Sequence, residues 1–187
     1  MATNVTDPPE LASAARRWRA ATVSAAAALL VLIGSAVHAE APSPPPRDPF
    51  LAQLAGRWTL TGSVRGRPVR YRGDATWVLN GGWLRLALVD RAKPPGYQAD
   101  VFLGFDAKAG DYIAHWLDQF GAPGARVVAT GHRDGQTLVL LFPYEDSPFR
   151  DTLTLAADGS SGTLLLEAQK PDGSWSTFAS YTLTRRR

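Results

Sequence analysis

Cysteine is absent from the 187 residues. That excludes disulfides, thiolate nucleophiles, Cys-ligated zinc and a lipid anchor on a cysteine behind an apolar leader. A core of this size needs no covalent staples, so the absence assigns no compartment. Histidine is scarce, with three in all. His38 falls in the N-terminal leader, which leaves His115 and His132, and these two come from such different settings that they make no metal site. Neither HExxH nor EF-hand spacing occurs, and there is no glycine loop able to cradle phosphate. Gly159-Ser160-Ser161-Gly162 lacks the spacing and the strand-to-helix setting of a nucleophile elbow. Carboxylates lie mainly in turns, so no acid–base pair can be assigned. Clustered positive charge is missing as well. The formal net charge is +3, and beyond the leader only Arg185-Arg186-Arg187 forms a run. A nucleic-acid partner needs a basic face with motif support, and the chain has neither. The sequence thus implies no cofactor and no metal.

What is present divides the chain in three. Arg16, Arg17 and Arg19 precede an apolar run from Ala20 to Val37, and Val37-His38-Ala39 offers small residues to a signal peptidase. Residues 1–39 therefore read as a signal peptide cleaved near Ala39, with Ala41 as second choice. The expected destination is the periplasm or the medium, with no stable membrane span after cleavage. Retention as an anchor stays open, because the run is just long enough to span a bilayer. Residues 40–48 are a Pro-rich spacer of polyproline type. Residues 49–187 form a single domain. Asp48 and Pro49 read as N-cap and first helical residue of a short helix carrying Phe50, Leu51 and Leu54. Too short to stand alone, it must lie against the open end of a sheet or barrel.

From Arg57 the apolar period is two, and turn residues arrive every eight to twelve positions. The expected strands are 57–64, 69–79, 83–89, 99–105, 112–118, 126–130, 136–141, 151–156, 162–169 and 174–184. Asn80-Gly81-Gly82 is the strongest hairpin signal. The hairpin around Asp106–Asp111 decides the architecture. With Phe105 opposite Tyr112, one face carries Val101, Leu103, Phe105, Tyr112, Ala114 and Trp116. The other carries Asp100, Phe102, Gly104, Ile113, His115 and Leu117. Both faces are apolar enough to be covered, which an open sheet facing water would not need. The expectation is all-β: an antiparallel up-and-down barrel of about ten strands with a short N-terminal helix, closed because closure removes exposed edges.

Several stretches resemble domain of unknown function family 1579: Leu54-Ala55-Gly56-Arg57-Trp58, Leu79-Asn80-Gly81-Gly82-Trp83-Leu84, the run from Leu103 to Tyr112 leading to Trp116-Leu117-Asp118, Asp134-Gly135, and a closing Tyr181. The resemblance spans about residues 50–184. It implies a bacterial, often exported protein with a lipocalin-like or nitrobindin-like barrel, and no established activity. Haem-binding relatives of the nitrobindin type use a histidine late in the barrel. Beyond Arg133 this chain has none.

Candidate ligand-binding residues are Trp77, Trp83 and Trp116, whose broad rings suit a small apolar cavity, together with Arg85, Asp118 and His115. An inward Arg72 or Arg85 would need a partner or an anionic ligand; solvated outer wall is the first expectation for both. His115 could titrate if buried or set beside a carboxylate. The leading functional expectation is an exported, non-enzymatic barrel binding a small, mostly apolar molecule. Two alternatives remain open. One is a packed structural or protein-interaction barrel without ligand, such as a homodimer through one wall. The other is an enzyme with a polar cluster near His115 or Asp118.

Overall fold

Alternation of period two over ten short runs produces ten strands in a computed structural model, which describes residues 43–187. The expected leader, its cleavage near Ala39 and the start of the spacer lie outside the described residues. The strands are β1 (Gly56–Val64), β2 (Arg67–Val78), β3 (Trp83–Asp90), β4 (Gln98–Asp106), β5 (Asp111–Asp118), β6 (Val128–Asp134), β7 (Thr137–Phe142), β8 (Phe149–Leu155), β9 (Ser161–Gln169) and β10 (Trp175–Arg185). Each pairs antiparallel with the next, and β1 pairs with β10 to close the barrel. Phe105 stands opposite Tyr112 as expected. Val101, Leu103, Tyr112 and Ala114 accordingly face the core and are 0–4% exposed.

Closure leaves the outer faces to cover themselves. On the β4–β5 wall this is done by side chains and a turn rather than by an outer helix. The Trp83 ring lies over Gly104, where an added Cβ would come within 3.0 Å of it. A 3-10 turn at Gly124–Arg126 packs against β5 through His115, whose Nε2 is 2.7 Å from the Ala125 carbonyl oxygen.

Two local expectations need correction. The sixth strand starts at Val128, not Arg126, because the 3-10 turn occupies those residues; it runs on to Asp134, paired with Thr137. His132 is therefore a strand residue, not a turn residue, and its Nδ1 lies 2.9 Å from Asp111 Oδ1 on the outside. The Asn80 turn is also longer than a two-residue hairpin. Val78 and Trp83 form the last pair, and Leu79, Asn80 and Gly81 all take positive φ (50°, 56° and 80°). Leu79 is left 71% exposed.

The helix α1 (Pro49–Leu54) plugs one end. Asp48 caps it, its Oδ1 accepting from the Leu51 N–H at 2.9 Å. Its Oδ2 accepts from the Tyr112 hydroxyl at 3.0 Å, which ties the cap to β5. Phe50, Leu51 and Leu54 enter the core, and Trp58 Nε1 donates to the Leu54 carbonyl at 2.7 Å. Arg185 clamps the helix from the last residue of β10. Its guanidinium donates to the carbonyls of Gln53, Ala55 (2.9 Å) and Gly159 (2.6 Å) and lies 4.2 Å from the Trp58 ring centroid. Arg185→Met keeps the apolar stem and strands three carbonyls, so it should cost about 2 kcal/mol. A fall in urea midpoint at unchanged m-value would show it; an unchanged midpoint would show that the clamp holds nothing. Among the described residues no helix is long and apolar enough to cross a membrane.

Candidate functional site

The end opposite α1 has no plug. The inward register of β2 brings Tyr71 there, β5 brings Trp116 and Asp118, β7 Phe142, β8 Phe149 and Asp151, and β10 Tyr181. Tyr97, just before β4, and Tyr144, just after β7, join them. The aromatic side chains meet in two clusters. Tyr71 lies 5.7 Å from Tyr97 and 5.8 Å from Tyr181, centroid to centroid. Tyr144 stacks on Phe142 at 6.0 Å and meets Phe149 edge-on at 5.9 Å, and Phe149 meets Phe178 at 5.2 Å. Tyr97, Trp116, Tyr144, Phe149 and Phe178 are half-buried, while Tyr71 and Phe142 below them are buried. These partly exposed rings rim the end opposite α1, the mouth of the barrel.

Polar groups in the mouth are few, and most are matched. Trp116 Nε1 donates to the Tyr97 hydroxyl at 2.9 Å, and that hydroxyl donates to Asp118 Oδ2 at 3.3 Å. Asp118 Oδ1 accepts the Phe120 N–H at 3.0 Å. Burial first, with the Asp118 charge reinforcing it, pushes the Tyr97 hydroxyl far above its ordinary range. Burial does the same to Tyr181, which also hydrogen-bonds Tyr71.

Asp151 is the exception. It is 4% exposed, and its Oδ1 has no hydrogen-bond partner. Desolvation, which disfavours the charged form, pushes its carboxyl from 3.8 up to about 7. Beside it in the sheet stand Leu140 of β7 and Leu166 of β9. A buried, unmatched polar atom is uncommon in a folded protein and calls for an explanation.

Of the six residues expected at a site, the structure brings two together. Trp116 and Asp118 meet in the mouth through Tyr97. Trp77 lies on the inward register but at the α1 end, with the Arg47 guanidinium 5.1 Å from its ring centroid. Trp83, Arg85 and His115 are on the outer wall. Arg85 holds Asp100 with two 2.9 Å bonds, and Arg72 also faces outward, as expected. Sequence reasoning passed over Tyr71, Tyr97, Tyr144 and, above all, Asp151. A signal was there: Asp151 lies two and four residues before Leu153 and Leu155, so a strand burying both leucines must turn the carboxylate inward.

Two surface depressions lie outside the strand wall. One is formed by Arg72 and the loop from Asp90 to Pro95, and the other lies over β3–β5 around Arg85, Asp100 and Leu117.

No protein-family model and no curated protein sequence matches the chain. Solved structures do. Rv2717c from M. tuberculosis is similar with a TM-score of 0.54 at 15% identity, over 76% of this chain and 100% of that one. The S-type phycobiliprotein lyase CPES from Guillardia theta is similar with a TM-score of 0.50 at 12% identity, over 74% of this chain and 91% of that one. At such identities the likeness is one of fold.

Proposed function

We propose that this chain is an exported, non-enzymatic barrel that holds a small, mostly apolar molecule at its open end. The observation that carries the reading is the half-exposed aromatic ring set around a buried carboxyl that lacks a partner. Rigid rings supply broad contact area at little entropic cost, and one or two polar groups fix orientation. Export rests on the leader read in residues 1–39, and the resemblance to family 1579 on the stretches quoted above. For the enzyme alternative, a polar cluster near His115 or Asp118, His115 lies on the outer wall bonded to the Ala125 carbonyl, while Asp118 bonds Tyr97 and through it Trp116.

A second reading has an observation in its favour. Both surface depressions lie outside the strand wall, as a barrel filled by its own side chains would have them, and the α1 half is packed in that way. The readings separate in native mass spectrometry of the protein purified from its own host. Ligand binding predicts a retained small mass that is lost on denaturation. In addition, the neutral dye Nile red should bind saturably, with Tyr144→Ala weakening it about tenfold through loss of ring contact. No retained mass together with no saturable dye binding would leave the packed barrel standing.

A further inference from the structure

The mouth is acidic and has no inward-facing cation of its own among the described residues. Asp118 spends its oxygens on the Tyr97 hydroxyl and the Phe120 N–H. Asp90, at the rim, accepts from the Ala92 and Gly96 N–H groups at 3.2 and 3.1 Å. Asp151 Oδ1 alone is unmatched, and it is nine-tenths buried. Four arginines have partners elsewhere. Arg150 turns outward to Glu167, at 2.7 and 3.0 Å. Arg65 lies over the Phe178 ring, 4.9 Å from its centroid. Arg133 and Arg185 point into the opposite end, at Phe50 and Trp58.

The chain thus presents a buried carboxylate without a cation, near Tyr144 and Tyr181, and aromatic faces attract positive charge. An apolar ligand with no donor would leave Oδ1 stranded, at the full desolvation cost of that atom. An anionic ligand would meet Asp151 and Asp118 as like charges in a poorly screened site. A charge-assisted N–H bond to Oδ1 instead matches the buried atom. We propose that the ligand of the mouth carries a protonated amine that binds Asp151, with its apolar body held among Tyr144, Phe149 and Tyr181. This rests on the preceding reading that the mouth takes an apolar molecule.

The ionisable groups facing Asp151 are Tyr144 after β7 and Tyr181 on β10, with Asp118 of β5 acting on Tyr144. The inward residue of β9 beside Asp151 is Leu166, while Glu167 faces out. Burial raises both tyrosine hydroxyls and pushes the Asp151 carboxyl up to about 7, so amine binding should strengthen from pH 5.5 to pH 8.

Three probes of one shape test this by titration calorimetry on protein from the full-length gene: 1-naphthylmethylamine, 1-naphthylmethanol and 1-naphthoate. At pH 8 the amine should bind at least about tenfold more tightly than the alcohol, a factor in the range of a charged hydrogen bond, and the carboxylate most weakly. Asp151→Asn, shown folded by circular dichroism, should erase the preference for the amine and leave alcohol affinity within about twofold of wild type. If that variant does not fold, the wild-type amine-to-alcohol ratio decides, and it should collapse at pH 5.5. Equal binding of amine and alcohol at pH 8, or a preference that survives Asp151→Asn or pH 5.5, would overturn the assignment while leaving an apolar mouth in place. No binding by any probe would overturn both readings.

Discussion

Raising the pH from 4 to 9 is expected to cost the barrel about 4 kcal/mol of unfolding free energy through Asp151 alone. The figure is the displacement from 3.8 to about 7 at about 1.4 kcal/mol per pH unit. The sign follows from where the proton sits. Between these values the unfolded chain ionises Asp151 while the folded barrel keeps it protonated, so the native state holds the extra proton and rising pH favours unfolding. The stabilisation is complete below about pH 4 and lost once pH passes 7. Asp158 and Asp172 have the opposite sign. Hydrogen bonds from Ser160 and Ser174 depress their carboxyls, so their contribution disappears only in acid as pH falls below the usual carboxylate range. They leave the neutral window to Asp151. Urea midpoints measured for wild type and Asp151→Asn at pH 4, 6 and 8.5 check this. The variant should be near wild type in acid and clearly more stable at pH 8.5, because it removes the ionisation but still buries a polar group. Parallel curves across the range would mean that the carboxyl is not held unpaired in the interior.

Gly62→Ala should destabilise by about 3 kcal/mol, at the upper end of what overpacking costs. Gly62 lies in the seam that closes the barrel, opposite Tyr181. A Cβ added there would come 1.8 Å from the Ser180 carbonyl oxygen and within 2.9 Å of the Tyr181 Cα. Both are backbone atoms and cannot swing away, so β1 and β10 would have to part just where Tyr181 enters the mouth. Glycine at such a position lets the backbones approach. Ser63→Ala, one residue on and facing outward, should stay within about 0.5 kcal/mol. Differential scanning calorimetry of the two variants checks the contrast. Equal melting temperatures would show that the seam opens without cost.

The barrel was legible because its evidence is periodic. Val101-Leu103-Phe105 against Tyr112-Ala114-Trp116 fixes one face, and turn residues mark every hairpin. The α1 cap was legible for a local reason, since Asp48-Pro49 carries its own start signal. Errors fell where the backbone departs from alternation: at Arg126, expected to start a strand but part of the 3-10 turn Gly124–Arg126, and at Leu79, whose positive φ no residue preference announces. The site was less legible for another reason. Tryptophans draw attention by size, yet Trp83 caps the outer wall and Trp77 sits at the plugged end. Which inward residues share a mouth depends on the register between strands far apart in sequence, such as β2, β8 and β10. Asp151 was readable from its spacing to Leu153 and Leu155, since the expected strand 151–156 already contained all three.

The most direct measurement is a crystal structure of the protein purified from its own host, inspected at the open end. The account predicts density among Tyr144, Phe149 and Tyr181 for a small molecule, with a donor atom at hydrogen-bond distance from Asp151 Oδ1. A mouth filled by those side chains, with Asp151 bonded to a group of its own chain, would contradict it.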